Sequence, residues 1–160
     1  MLIEKILMNK NYWNNYYKLR TIKHNPSNFA KFIIKYFKKK KINNLLEFGC
    51  GDGRDSFFFS QKLKKITSIK KLKKTIKKNK KFLKKNKIKN LFFLSKDIIK
   101  IKRFKFKQFD ILYARFFLHS VNLNDEDKLL KILKKKLKVN TYVCFEFRTI
   151  KDEMFNRGKK

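Results

Sequence analysis

Short apolar runs alternate with longer stretches in which apolar residues recur every three or four positions, from about residue 27 to residue 147. Five runs have the length and the aromatic or β-branched content of strands: Leu45 to Phe48, Lys65 to Ile69, Asn90 to Leu94, Phe109 to Tyr113 and Thr141 to Phe147. Between and before them the spacing predicts helices. Ser27 is placed as an N-cap ahead of Phe29, Phe32, Ile33, Tyr36 and Phe37, which follow the helical period, and the lysines from Lys38 to Lys41 end that helix. Further helices are expected from Asp55 to Gln61, from Lys71 to Lys87 with a thin stripe of Ile76 and Phe82-Leu83, and from Asp125 to Lys138 with leucines and Ile132 on one face. A basic stretch, Lys100 to Lys107, reads as a linker between the third and fourth strands.

Strands that alternate with helices make an α/β fold with a mainly parallel sheet. Right-handed crossovers put the first strand in the middle, so the expected strand order is 3-2-1-4-5. In such a doubly wound sheet a ligand lies outside the carboxyl ends of the strands, where the strand order reverses. Here that point follows the first strand, in Glu47-Phe48-Gly49-Cys50-Gly51-Asp52-Gly53-Arg54. Glycines at alternate positions allow positive φ and a close approach of backbone to ligand, and a strand, a glycine turn and a helix start together predict a nucleotide-binding crevice.

The Gly-x-Gly-x-Gly spacing, with a glutamate two residues ahead, departs from the Gly-x-Gly-x-x-Gly of dinucleotide folds. It resembles motif I of the class I S-adenosylmethionine-dependent methyltransferases. The stretch Phe109-Asp110-Ile111-Leu112-Tyr113-Ala114-Arg115-Phe116-Phe117-Leu118-His119 is similar to the motif after strand 4 of that family, and Asp97 occupies the place of the acidic residue that hydrogen-bonds the adenine amino group. The resemblance runs from about Tyr12 to Asp152 and implies one Rossmann-like domain over residues 1–160, with an N-terminal helical cap at 1–41 and an α/β core at 42–160. It implies S-adenosylmethionine as cofactor, with Glu47, Gly49, Cys50, Gly51, Gly53, Asp97 and Arg115 around it. Asn11 to Tyr17 is an aromatic cluster similar to a helix that covers the cofactor in the small-molecule branch; an aromatic face packed on the core accounts for it equally well.

Two departures from the family pattern stand out. Where the family carries an acid for the ribose hydroxyls this chain has Lys70, and an ammonium has no acceptor lone pair. Cofactor binding is then expected to be weaker unless Asp55 or another acceptor substitutes. The chain also ends about a dozen residues after the fifth strand, where the family adds two more strands. A shortened methyltransferase is the expectation, with the fifth strand an apolar edge that the N-terminal helices or a partner chain would cover.

The acceptor is expected beyond strands 4 and 5, among Arg115, Phe116, His119, Glu146, Arg148 and Asp152. Two arginines suit an anionic small-molecule acceptor, and His119 is the candidate general base because imidazole titrates near ~6.5. His119, Arg115 and Arg148 are therefore the catalytic candidates. A pairing of Arg115 with Glu146 across neighbouring strand ends, with His119 capping a helix, explains the same residues without an acceptor.

Composition changes this picture in one respect. Lys and Arg number 45 against 12 acidic residues, a net charge of +33, which points to nonspecific polyanion attraction and to a competing class of function, a basic nucleic-acid-binding protein that keeps the fold without turnover. The lysines are spread along the whole chain among many Asn, Ile and Phe, a pattern that coding bias and solvated helix faces also produce. Hydrophobic residues at 42%, with 18 Phe, are enough for a packed core. Cys50 and Cys144 lack metal-ligand spacing, so no metal site and a reducing, cytoplasmic setting are expected. No run approaches the ~20 apolar residues of a membrane span. A nucleotide-dependent dehydrogenase fits the glycine spacing and Lys70 less well.

Overall fold

The computed structural model describes residues 25–101, 103–149 and 151. The aromatic cluster at 11–17, the rest of the expected cap before residue 25, and Asp152 lie outside the described residues. The elements are α1 (Asn28–Tyr36), β1 (Asn44–Phe48), α2 (Arg54–Ser60), β2 (Lys65–Lys70), α3 (Lys73–Lys85), β3 (Leu91–Ser95), β4 (Ile111–Arg115), α4 (Leu123–Lys136) and β5 (Tyr142–Glu146). The sheet order is β3-β2-β1-β4-β5 with every pair parallel, as the crossover argument predicts.

Successive side chains of β1 point to opposite faces, and each face has its own core. Leu45, with Ile66, Leu91, Ile111 and Tyr113 from its neighbours, packs against Ala30 and Ile33 of α1, Phe57 and Phe59 of α2 and Ile76 of α3. Leu46 and Phe48, with Ile69, Leu112 and Ala114, pack against Leu129 and Leu133 of α4. The remainder of that second face is covered by the stretch read as a basic linker. Ile98, just before it, and Phe106, within it, are buried, in two single-turn helices at Ile98–Lys100 and Phe106–Gln108. Phe104 packs edge-on to Phe106 and stacks on Phe109, with ring centroids 4.8 and 5.8 Å apart. The lysines between these rings face solvent, and they hide the apolar period from a composition-based reading.

Caps set the ends of two helices. The Ser27 side chain accepts the Ala30 N–H and opens α1, and Asn122 accepts the Asp125 N–H and opens α4. Asp125 and Glu126 in the first turn of α4 and Lys134, Lys135 and Lys136 in its last turn suit the helix dipole. Strand β4 starts two residues later than its apolar run, just after Asp110. Its carboxylate accepts the N–H groups of Asn43 and Asn44 at 2.9 Å and the Lys138 ammonium at 2.7 Å, which ties together the amino ends of the central strands. Partial burial opposes its ionisation, but these donors outweigh it and hold the carboxyl below its ordinary range.

No strand pairs with the far side of β5 among the described residues. On one face of β5 the ring of Tyr142 lies 4.6 Å from that of Phe37, the residue that ends α1. On the other face Val143 is 48% exposed. Among the described residues no helix is long and apolar enough to cross a membrane.

Candidate active site

The turn after β1 is built from three glycines in the left-handed region, with φ of 72° at Gly49, 51° at Gly51 and 87° at Gly53. Gly49 still belongs to the ladder, its N–H donating to Ile69 O at 2.9 Å, and the Gly53 N–H closes the turn on Cys50 O at 2.8 Å. A Cβ on Gly49 would lie 2.8 Å from the Phe117 ring, and one on Gly53 would lie 2.9 Å from Phe57 and 3.1 Å from Asn79 and Phe93. The space that the sequence reading reserved for a ligand at these two positions is therefore filled by the chain's own side chains. At Gly51 the carbonyl accepts the Asn79 amide at 3.3 Å. Asn79 is fully buried, and its Oδ1 accepts no hydrogen bond among the described residues.

Glu47 does not open onto the crevice. It is 3% exposed and accepts hydrogen bonds from Ser56 at the start of α2 and from Ser68 on β2, the latter at 2.8 Å. Burial first, and the nearby Asp55 second, push its carboxyl up to about 8 against the lowering effect of the two serines. It joins β1, β2 and α2 beneath the turn. Beside it, the Cys50 thiol is buried and its pKa is pushed well up by that burial, so it is no nucleophile at neutral pH.

Asp55 is equally committed. Its carboxylate accepts the Ser27 N–H at 2.7 Å, the Ser27 hydroxyl at 2.8 Å and the Tyr113 hydroxyl at 2.9 Å. This network ties the cap of α1 to α2 and β4. At 5% exposure with both oxygens taken, Asp55 does not substitute for the missing ribose acid. Ser56, Ser68, Asn79 and Tyr113 were not singled out from the sequence. The one trace they leave there is a polar residue inside an otherwise apolar element.

At the carboxyl ends of β2 and β3 the groups are cationic. Lys70 ends β2, half-buried and opposite Ser95 of β3. The next residue, Lys71, pairs with Asp97 at 2.9 Å, and the other oxygen of Asp97 accepts the Ile99 N–H at 3.2 Å. An open hollow of about 560 Å³ adjoins them, lined by Lys96, Asp97, Lys100, Ile101 and Arg103.

On the other side of the turn, β4 and β5 bring Arg115, Phe116, Glu146 and Arg148 together. Arg115 and Glu146 are register partners and form an ion pair. Phe116 turns out of β4 with φ of 51° while its N–H donates to Glu146 O at 2.8 Å, an unusual backbone for an aromatic residue. The Arg115 and Arg148 guanidinium carbons lie 4.4 and 5.1 Å from its ring centre. The exit continues to Phe117, which leans on Gly49 and so joins the two sides of the crevice. The backbone of His119 lies in a single-turn helix, Leu118–Ser120; its side chain is outside what the structure describes. Among the described residues no three His, Cys, Asp or Glu side chains converge as metal ligands would.

The turn at 49–53 fits the amino-acid end of S-adenosylmethionine, with left-handed backbone at Gly51 and an unsatisfied Asn79 oxygen behind it. The ribose end does not fit in the same way, since Lys70 offers only donors and both nearby buried carboxyl groups are engaged.

The model of the methyltransferase-domain family matches residues 39–157. No curated protein matches the sequence. Among solved structures the chain is similar to the YcgJ protein of Bacillus subtilis, with TM-score 0.67, 18% identity and coverage of 81% of this chain and 54% of that one. It is similar to phosphoethanolamine N-methyltransferase 1 of Haemonchus contortus, solved with phosphoethanolamine and S-adenosylhomocysteine, with TM-score 0.66, 12% identity and coverage of 88% and 31%. A third likeness is to an Aquifex aeolicus SAM-dependent methyltransferase, with TM-score 0.68, 20% identity and coverage of 88% and 76%. At such identities the likeness speaks for the fold alone, and the chain spans about half or less of the first two proteins. Since the sheet order, the glycine turn and the match over residues 39–157 agree, the chain belongs to the methyltransferase-domain family, in its class I S-adenosylmethionine-dependent form.

Proposed function

We propose that the chain is a single methyltransferase-like domain that binds S-adenosylmethionine over the turn at 49–53 and methylates a small anionic acceptor beyond the ends of β4 and β5. The observation that carries this reading is the left-handed glycine turn at the point where the strand order reverses, between β2 and β4. When bound, the cofactor supplies an electrophilic methyl group on a sulfonium, so the protein's task is to hold the acceptor in line and keep water away. Phe117, its ring 5.7 Å from that of the buried Phe48, lies beside Gly49 at the crevice. Glu146 matches the charge of Arg115, and we assign contact with the acceptor's anionic group to Arg148 over Phe116. His119 is assigned the proton of an acceptor that must lose one.

Calorimetric titration with S-adenosylhomocysteine tests the cofactor half. Gly51→Val, which forces a branched side chain into a left-handed turn, should abolish binding while circular dichroism stays that of the parent; undiminished binding would reduce the turn to a structural one. For the acceptor half, methylated products are sought by mass spectrometry across anionic and neutral small molecules, with the parent, His119→Ala and Arg148→Ala. Turnover that is unchanged in both variants would remove the acceptor assignment.

A further inference from the structure

We propose that the β2 and β3 end of the crevice takes a nucleotide whose ribose carries a phosphate, such as adenosine 3′-monophosphate, in preference to an unphosphorylated adenosine. The inference rests on reading the crevice as an adenosine site and departs from the proposed cofactor in what that adenosine carries.

A ribose with free hydroxyls calls for an acceptor at the end of the second strand, and a phosphorylated ribose calls for a cation there. This strand ends in Lys70 and is followed at once by Lys71, two ammonium groups that can only donate. The position belongs to the crevice, because the residue before it, Ile69, bonds the Gly49 N–H at 2.9 Å. Three of its acidic neighbours are already engaged. Glu47 is buried under two serine hydroxyls, Asp55 has three donors of its own, and Asp97 is shared between Lys71 and the Ile99 N–H. Asp52, on the turn, is the remaining acid that acts on Lys70.

The hollow after β3, joined to this strand end through the Lys71–Asp97 pair, has the same sign. Lys96, Lys100 and Arg103 line it, with Asp97 as its single acid and Ile101 as its apolar wall. Its volume of about 560 Å³ falls within the range usual for small-molecule sites. The three cations converge on one concavity. Arg103 adds a planar fork that matches phosphate oxygens. Burial lowers the pKa of Lys70, and a phosphate beside it would oppose that loss of charge.

The test is calorimetric titration of the full chain with adenosine 3′-monophosphate, adenosine, inorganic phosphate and S-adenosylhomocysteine, at two salt concentrations. The nucleotide is expected to bind about tenfold or more tighter than either adenosine or phosphate alone. Lys70→Glu should remove that advantage and improve adenosine binding, and the exposed Lys96→Glu and Lys100→Glu should each weaken the nucleotide several-fold. Lys84→Glu, at the far end of α3, should leave it unchanged. Equal weakening by Lys84→Glu would mean general attraction of anions to a basic protein and would overturn the proposal. Binding of S-adenosylhomocysteine with no preference for the phosphorylated nucleoside would also overturn it while leaving the proposed function intact. Nucleotide binding without S-adenosylhomocysteine binding would support it and remove that function, and binding of neither would remove both.

Discussion

The two ends of the crevice are built in opposite ways. Beneath the glycine turn the acidic groups are buried and answered by other parts of the chain, Glu47 by Ser56 and Ser68, and Asp55 by Ser27 and Tyr113. At the β2 and β3 end the groups that line the open hollow are mostly cations, Lys96, Lys100 and Arg103, beside the Lys71–Asp97 pair. The difference separates two tasks. Buried, fully bonded groups fix the backbone of the turn, because moving any one of them would strand a polar atom out of water. Exposed cations cost the fold little and are available to select a ligand by charge.

The strongest way to break the comparison is to remove Asp55. Asp55→Ala leaves the Ser27 N–H, the Ser27 hydroxyl and the Tyr113 hydroxyl without their acceptor, all of them buried. A loss of about 3 kcal/mol in denaturant unfolding is expected. A loss under about 1 kcal/mol would show that the network is not what holds α1, α2 and β4 together.

A smaller effect follows from Glu47. Its folded-state pKa of about 8 lies above that of the unfolded chain, near ~4.3. Between these values the folded state holds a proton that the unfolded state has released, so this group's contribution to stability falls as pH rises from ~4.3 to about 8 and is level above. Glu47→Gln should flatten that decline and be the more stable form above pH 8, by on the order of 1–3 kcal/mol. Parallel unfolding curves for parent and variant across this range would place the Glu47 carboxyl in contact with water. Asp110 acts in the opposite direction and at lower pH. Its depressed pKa gives stability that is lost only as pH falls through the folded-state value, below the ordinary carboxylate range.

The smallest effect sharpens the contrast. Lys71→Ala removes an ion pair whose lysine side chain is 73% exposed, and it should change unfolding stability by less than about 1 kcal/mol. A cost comparable to that of Asp55→Ala would mean that the cationic rim is part of the frame and not a surface laid over it.

The strands, their order and the position of the glycine turn were legible in the chain, because each depends on local composition and on rules of connection that leave few alternatives. The Arg115–Glu146 pair was legible too, as one of two uses for those residues, since parallel neighbours in a sheet bring their ends side by side. The stretch from Lys100 to Lys107 is the connection it was read as, but its packing was not legible, because Lys105 and Lys107, set among Phe104, Phe106 and Phe109, mask the buried rings behind a polar composition. Only the tertiary structure decided which groups are left to meet a ligand. Glu47 looks like a ligand residue from its place before the glycines, yet Ser56 and Ser68, nine and 21 residues away, take its carboxylate. Asp55 looks like a spare acceptor, yet its partners lie 28 residues before it and 58 after it. A hydrogen bond consumes an acceptor whatever the separation in sequence, so the function of an acidic residue is settled where the chain folds back on it.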